Sequence, residues 1–214
     1  MNNRIGTIGG DGGIWWPLGD KIGYKTIKAE LARLPEAMAF CHRRHVAVQA
    51  GGNCGLVPIY LAGLFETVYT FEPEPLNFHC LVRNCEDHKN VIKMQAAVGD
   101  GESVTIALDG FPENNGAYRV AIDKHGNIPC LTVDSLRLTD CDLIMLDVEG
   151  MEYHALDGAD NTIEEYKPVI IIELTGHSGR YGHTPSAIVN WLKERGYTEV
   201  LRLERDSVFI YEGT

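Results

Sequence analysis

The chain alternates short apolar segments with stretches of helical periodicity, and this alternation constrains its fold more than any other feature. The apolar segments, rich in β-branched residues, are HVAVQA (45–50), TVYTFE (67–72), NVIKMQAAV (90–98), CDLIMLDV (141–148) and PVIIIEL (168–174). The helical stretches cover 54–65, 75–85, 151–165 and 184–195. Strands that alternate with helices pair in parallel, because each helix crosses back over the sheet. The sequence therefore predicts an α/β fold, a mostly parallel sheet with helices on both faces.

Two segments depart from this alternation. SVTIALDG and GAYRVAI (103–110 and 116–122) predict a hairpin inserted between two strands of the sheet. The tail, YTEVLRLERDSVFIYEG, gives two strands around Arg205 and Asp206. We therefore expect the sheet to end with an antiparallel strand.

The N-terminal part has a different pattern. Residues 1–23 are rich in glycine and predict a loop, whereas residues 24–42 carry apolar side chains at helical spacing. The loop contains Trp15 and Trp16, whose flat apolar surfaces suit stacking on a sugar or a ring, or plugging the sheet. We slightly favour a lid or an acceptor-binding loop.

Length and charge narrow the class of protein. The 214 residues suit a single domain, with an N-terminal extension at 1–45 before a core at 46–214. The net charge of −11 argues against non-specific binding of nucleic acid, which needs clustered Lys and Arg. CHRRH (41–45) is the one dense basic segment, and a solvated turn before a strand explains it best.

The cysteines and the hydropathy bear on the compartment. Six cysteines are scattered without a CxxC pair, which is typical of reduced thiols. No signal peptide is evident, and no run approaches the ~18 apolar residues of a membrane span. We expect a soluble, cytoplasmic protein that does not contact a membrane. The sequence gives no expectation for its oligomeric state.

A glycine-rich turn follows the first apolar segment. In VQAGGNCG (48–55), no lysine follows as a P-loop requires, and the glycines miss the GxGxxG register of dinucleotide-binding turns. The turn fits the S-adenosylmethionine pattern [D/E]-x-G-x-G-x-G better, with Gln49 at the acid position. The predicted cofactor-binding residues here are Gln49, Gly51, Gly52, Asn53 and Gly55. Glycines let a ligand approach the backbone, although such a turn also serves tight packing alone.

Glu72 strengthens the prediction of a ligand site. It ends the next apolar segment in YTFEPEP, where an acid can receive the two hydroxyls of an adenosine ribose. A solvated glutamate at a strand end is the alternative. Ligands in open α/β sheets bind at the carboxyl ends of the strands, so we expect both segments at one edge.

At this point the sequence resembles the FkbM family of S-adenosylmethionine-dependent methyltransferases. The similar blocks, in order, are VQAGGNCG, FEPEPLNFHCLVRN (71–84), NVIKMQAAVGD (90–100), LDVEGMEYHALDGA (146–159) and KPVIIIEL (167–174). The resemblance implies a Rossmann-like class I methyltransferase fold with seven strands. It also implies S-adenosylmethionine as cofactor, with Ala97 and Val98 beside its adenine, and O-methylation of a small-molecule or glycan acceptor.

Three polar residues near the strand ends are candidates for catalysis. Asp147 and Glu149 flank the end of a strand; one could orient the acceptor and the other the methionine amine, although Glu149 could instead cap the next helix. His177, in the loop ELTGHSGRYGHTP, is our preferred general base. Asp147, Glu173 and His177 could alternatively hold a divalent metal ion, although no ligand spacing requires one.

Gln49 is a departure from the family, which usually has aspartate there. An amide can accept a hydrogen bond but offers no negative charge to the ammonium of the methionine group. We expect weaker cofactor binding or compensation by another acid. The main rival hypothesis is an idle S-adenosylmethionine-binding scaffold. A nucleotide-dependent oxidoreductase and an RNA methyltransferase are disfavoured by the glycine register and by the acidic charge, respectively.

Overall fold

The computed structural model describes residues 5–8, 13–20, 22–101, 104–107, 118–122 and 126–213. The strands are β1 Ile5–Ile8, β2 Ile14–Pro17, β3 Val46–Ala50, β4 Thr67–Phe71, β5 Val91–Met94, β6 Ala97–Val98, β7 Val104–Ala107, β8 Arg119–Ile122, β9 Cys130–Leu131, β10 Leu143–Leu146, β11 Val169–Glu173, β12 Tyr197–Leu203 and β13 Asp206–Tyr211. The α-helices are α1 Gly23–Leu31, α2 Leu34–Met38, α3 Leu56–Ala62, α4 Pro75–Asn84, α5 Glu152–Asp157, α6 Asp160–Tyr166 and α7 Pro185–Glu194.

Seven of these strands form one sheet in the order β12-β13-β11-β10-β3-β4-β5. The five strands from β11 to β5 are parallel to one another, whereas β13 pairs antiparallel with both β11 and β12. The strand order reverses between β3 and β10, which opens a crevice at their carboxyl ends. The expectation of a mostly parallel, seven-stranded sheet with an antiparallel C-terminal strand is confirmed.

Both faces of the sheet are covered by helices. Alternate residues of the central strands point to opposite faces, so Ala47 and Met145 pack in one core with α3 and α4, while Val48 and Ile144 pack in a second core with α5, α6 and α7. Strands covered on both faces read as continuous apolar runs, which explains why β10 is buried at all four positions.

Two predicted segments are divided in the structure. The single strand predicted over 90–98 becomes β5 and β6, because β6 leaves the main sheet and pairs with β9. The helix predicted over 151–165 is interrupted at Gly158, where a β-carbon would collide with the carbonyl oxygen of Gly99. A close approach between chain segments therefore ends α5.

The N-terminal residues differ from the predicted loop. Strands β1 and β2 form an antiparallel hairpin that packs on α4. The backbone N–H of Trp15 donates to the Asn84 side chain, which in turn donates to the Trp15 carbonyl oxygen. The glycines had suggested an irregular segment, but the apolar Ile14, Trp15 and Trp16 give β2 a face to bury.

The remaining predictions of secondary structure agree with the described residues. Strands β7 and β8 are antiparallel, as expected for the inserted hairpin, and the tail forms β12 and β13 around a turn at Arg205. All six cysteines are free and buried. In the described part of the chain, no helix combines the length and apolar character needed to cross a bilayer.

Candidate functional site

The glycine turn between β3 and α3 lies at the reversal of strand order. Gly51 (φ +89°) and Gly55 (φ +94°) have backbone conformations that residues with a β-carbon rarely adopt. A β-carbon at Gly51 would also collide with the carbonyl oxygen of Asp147, and one at Gly55 would press on α4 at Leu81. The glycines therefore let the turn pass closely between β10 and α4.

Glu72 fixes this turn from the end of β4. Its carboxylate accepts hydrogen bonds from the backbone N–H of Asn53 at 2.7 Å and of Glu74 at 2.8 Å. The side chain is 6% exposed, and burial raises the pKa of Glu72 to about 7 against the opposing effect of these two hydrogen bonds. The predicted pairing of the turn with this acid is thus a direct contact.

Gln49 lies on β3, two residues before Gly51 of the turn. It is 1% exposed, and its side-chain oxygen accepts a hydrogen bond from Thr70 Oγ1 at 2.6 Å across the β3–β4 pair. A neutral amide satisfied by a neutral hydroxyl is a stable buried arrangement. Position 49 consequently contributes no negative charge to the site.

A row of acidic side chains crosses the carboxyl edge of the sheet. The strand register places Ala50 opposite Phe71 and Leu146, and Leu146 opposite Ile172. The next residue of each strand extends this row. In the order of the strands β4, β3, β10 and β11, these residues are Glu72, Gly51, Asp147 and Glu173, and Glu173 pairs with Asp206 of β13. We call Glu72, Gly51, Asp147, Glu173 and Asp206 the edge row; its one glycine is the residue of the turn.

Among the described residues, the edge row has more carboxyl groups than there are cationic side chains beside them. Arg205 Nη2 lies 2.6 Å from Glu173 Oε1, in the turn between the last two strands. Burial, followed by the neighbouring Asp147 charge, raises the pKa of Asp206 to about 6 and that of Glu149 to about 7. Burial also raises the pKa of Asp147 itself, which Arg205 opposes. Such a site favours a ligand with positive charge.

Glu149 and His177 come together beside the row. His177 Nδ1 lies 3.0 Å from Glu149 Oε2. The loop geometry depends on Gly150 (φ +112°), where a β-carbon would lie 2.7 Å from the His177 carbonyl oxygen. Thr175 begins the 3-10 helix at Gly176–Tyr181 that carries His177. The structure thus unites two of the three residues predicted for catalysis, with Asp147 two positions before Glu149.

The potential metal ligands form a slightly different group from the predicted one. Single ligand atoms of Glu149, Glu173 and His177 lie within 4.8 Å of one another, with Glu149 in the place we expected for Asp147. Glu173 already pairs with Arg205, so a cation there would compete with a guanidinium.

A cleft with an empty volume of about 1100 Å³, its open mouth included, connects these features. Nine predicted residues line it, namely Gln49, Gly51, Gly52, Asn53, Glu72, Ala97, Val98, Asp147 and Glu149. Gly55 lies behind it against α4, and His177 reaches it through Glu149.

Sequence reasoning missed three contributors to the cleft. Ile27 and Glu30 of α1 line it, and their spacing of three residues is the signal that puts them on one helix face. Arg205 also lines it. An antiparallel strand begins at the edge where parallel strands end, so the predicted tail hairpin already implied that its turn reaches the cleft.

The tryptophans contact the back of the turn. Trp16 is 1% exposed and packs with Cys54 and Cys80, and its Nε1 donates to Asp20 Oδ2 at 3.0 Å. The Arg83 guanidinium lies over the Trp15 ring at 4.7 Å. These contacts give the pair an anchoring role, and α1 forms the cleft wall on the N-terminal side.

The arginines of the basic segment CHRRH, just before β3, form ion pairs and hydrogen bonds within the protein. Arg43 Nε lies 2.6 Å from Asp142 Oδ1, and its Nη2 lies 2.7 Å from Asp140 Oδ1. Arg44 donates to the carbonyl oxygens of Cys41 and Met38. Both arginines therefore tie the start of β3 to neighbouring backbone and acids.

The sheet order, the glycine turn and the acid after β4 together define a Rossmann-like class I methyltransferase fold. Residues 52–199 match the methyltransferase FkbM domain, and the chain belongs to that family. A relative, methyltransferase 1 of Beauveria bassiana (strain ARSEF 2860), is 29% identical over 165 residues, which cover 63% of this chain and 66% of that protein.

Solved structures share the fold. Methyltransferase FkbM from Methylobacillus flagellatus aligns with a TM-score of 0.56 and 19% identity over 78% of this chain and 44% of that one. The N-methyltransferase NodS from Bradyrhizobium japonicum, in complex with S-adenosylhomocysteine, aligns with a TM-score of 0.52 and 12% identity over 91% and 89% of the two chains. The chain thus spans less than half the length of the first of these structures.

Proposed function

We propose that this protein is an S-adenosylmethionine-dependent methyltransferase that methylates a hydroxyl group of a small molecule or glycan. The observation that carries this proposal is the cleft at the reversal of strand order, where the turn, Glu72 and Asp147 meet in one row. Hydroxyl methylation and the acceptor class rest on the family resemblance.

The cofactor would lie across the glycine turn. In this placement Glu72 receives the ribose hydroxyls, because a carboxylate held by two backbone N–H groups is a fixed acceptor at the strand end. Ala97 and Val98 form an apolar wall for the adenine. The complex of NodS with S-adenosylhomocysteine supports the choice of cofactor. The acidic edge row suits a ligand that carries a sulfonium and an ammonium.

Glu149 and His177 would serve the acceptor. Methyl transfer from a sulfonium is an in-line displacement, so the protein contributes alignment and removal of the hydroxyl proton. With its Nδ1 3.0 Å from Glu149 Oε2, His177 would take the proton at Nε2, and the carboxylate would stabilise the imidazolium. We retain His177 as the base, with Glu149 as its positioning residue.

Arg205 provides positive charge beside Glu149, Glu173 and His177, the group that could hold a divalent metal ion. Its pairing with Glu173 leaves Glu149 and His177 as the remaining donors of the group. Hard divalent cations need several oxygen ligands. We propose that transfer proceeds without a divalent ion, so activity should persist in EDTA.

Calorimetric titration with S-adenosylmethionine and S-adenosylhomocysteine tests the proposal. We expect micromolar binding of both, and a loss of at least tenfold in Glu72→Ala. Glu72→Gln, which keeps one acceptor oxygen for the turn, separates ribose recognition from collapse of the turn. Glu199→Gln serves as the control, since Glu199 pairs with Arg202 and neither residue is in the cleft lining.

The two rival hypotheses have distinct outcomes in the same experiments. Binding without turnover on any hydroxyl-bearing acceptor would favour an idle scaffold, for which the uncharged Gln49 is the argument. Methylation of RNA would require a basic surface, and the pairing of Arg43 with Asp140 and Asp142 offsets charge in the one dense basic segment of the sequence. Absence of binding by the folded wild type would refute the proposal.

A further inference from the structure

Position 49 lacks the negative charge of an aspartate, and a nearby acid, Asp147, can supply that charge. Met145 is the β10 partner of Gln49, and Asp147 lies two residues further along β10. Since strand side chains alternate between faces, Gln49, Met145 and Asp147 project to the same side of the sheet. Asp147 therefore lies diagonally across from Gln49, one step nearer the mouth of the cleft.

Asp147 is held in place by its backbone. Its N–H donates to the Ala50 carbonyl oxygen at 3.1 Å, and its own carbonyl oxygen fills the space that Gly51 leaves by having no β-carbon. Asp147 is one of the residues that line the cleft. Its position is thus fixed against the glycine turn, independently of any contact that the side chain makes.

The side chain of Asp147 is available to a ligand. In the described part of the chain, no hydrogen-bond donor contacts its carboxylate, and the nearby Arg205 is paired with Glu173 at 2.6 Å. By contrast, Glu72 and Glu152 each accept backbone hydrogen bonds. Asp147 is therefore the acid of the edge row that is placed at the turn and left for a cationic group.

Gln49 does not compete for that group. Its amide has no negative charge in either orientation, and Thr70 contacts it at 2.6 Å. Building on the proposed function, we infer that Asp147 binds the α-ammonium of the methionine group of the cofactor, in place of the aspartate that the family usually has at position 49.

Three ligands isolate this contact. S-adenosylhomocysteine carries the ammonium, its analogue with hydrogen in place of the α-amino group lacks only that group, and 5′-methylthioadenosine lacks the whole aminobutyrate. In Asp147→Asn we expect a 10- to 100-fold loss of affinity for S-adenosylhomocysteine, the range for a charged hydrogen bond. Affinities for the other two ligands should stay within threefold of wild type.

Two further variants make the test specific. Gln49→Asp in the Asp147→Asn background should recover at least fivefold of the lost affinity, because it restores a carboxylate on the same face of the sheet. Asp206→Asn removes a charge from the same row at a distance from the turn, and should change the affinity for S-adenosylhomocysteine by less than threefold.

The outcomes separate the inference from the function beneath it. If Asp147→Asn binds all three ligands as wild type does, or weakens all three equally, Asp147 does not bind the ammonium, while the cofactor proposal stands. If the folded wild type binds none of the three, both are overturned.

Discussion

Replacing Glu149 with glutamine should stabilise the ligand-free protein at neutral and alkaline pH. Burial and the Asp147 charge raise the pKa of Glu149 from 4.5 to about 7, and its side chain is 20% exposed. The folded state therefore prefers the protonated carboxyl, and ionisation at higher pH costs stability. Glutamine matches the shape of the protonated acid and avoids that cost.

The pH window follows from the two pKa values. Below pH 4.5 the group is protonated in both folded and unfolded chains, so wild type and variant should differ little. The cost of ionisation grows between pH 4.5 and 7 and is complete above 7. At about 1.4 kcal/mol per pKa unit, it reaches about 3 kcal/mol as an upper limit at pH 8, and we expect about 1–3 kcal/mol.

Thermal unfolding at several pH values measures this effect. For a chain of this size, 1 kcal/mol moves Tm by about 2–4 °C, so Glu149→Gln should melt about 2–12 °C above wild type at pH 8. The advantage should shrink by about half at pH 5.5. Glu199→Gln is the matched control. Because the hydrogen bond from Arg202 lowers the pKa of Glu199, this substitution should lower Tm at pH 8 and not raise it. A Tm difference for Glu149→Gln that does not change between pH 5.5 and 8 would refute the reasoning.

Three other substitutions or reagents test the remaining features. Gly51→Ala should lower stability by about 1–3 kcal/mol and abolish cofactor binding in calorimetry. Gly63→Ala, at φ −75° and with an ordinary 3.4 Å contact between the new β-carbon and the Tyr60 carbonyl oxygen, should leave Tm within about 2 °C. Trp16→Ala should cost about 3–5 kcal/mol in urea unfolding, while a variant that folds as wild type but loses acceptor affinity would restore the lid hypothesis. The six buried thiols should react with a thiol reagent within seconds in denaturant and much more slowly in the native protein, and fast native labelling would contradict their burial.

Much of the sheet was predictable because its strands carry strong signals. β3, β4, β10 and β11 are nearly continuous apolar runs, which is typical of parallel strands buried on both faces. The end of NVIKMQAAV was not resolved as a separate strand, because its pairing with β9 is a tertiary contact without local periodicity. The N-terminal hairpin was missed for a different reason: the high glycine content of residues 1–23 predicted a loop, although β2 has an apolar face.

The sequence predicted which residues lie at the carboxyl edge of the sheet, but not which side chains contact one another there. The rule that ligands bind at the carboxyl ends of parallel strands placed Glu72, Asp147 and Glu149 at one edge from the sequence alone. The partners of these side chains depend on register, which the sequence does not specify across crossovers. Glu30 was missed because its helix belongs to the N-terminal extension and reaches the cleft only through the tertiary fold. The predicted tail hairpin, by contrast, implied that the turn with Arg205 lies at this edge, without giving its partner Glu173.

The electrostatics of the edge row give a reason for the amide at position 49. A carboxylate there would be buried near Asp147, with Thr70 as its neutral neighbour, and Arg205 of the cleft lining is already paired with Glu173. Gln49→Asp alone should therefore lower the Tm of the ligand-free protein, and saturating S-adenosylhomocysteine should recover part of that loss by supplying an ammonium. If the variant is instead as stable as wild type without ligand, the row tolerates a further charge. The absence of an aspartate at position 49 would then have no electrostatic cause.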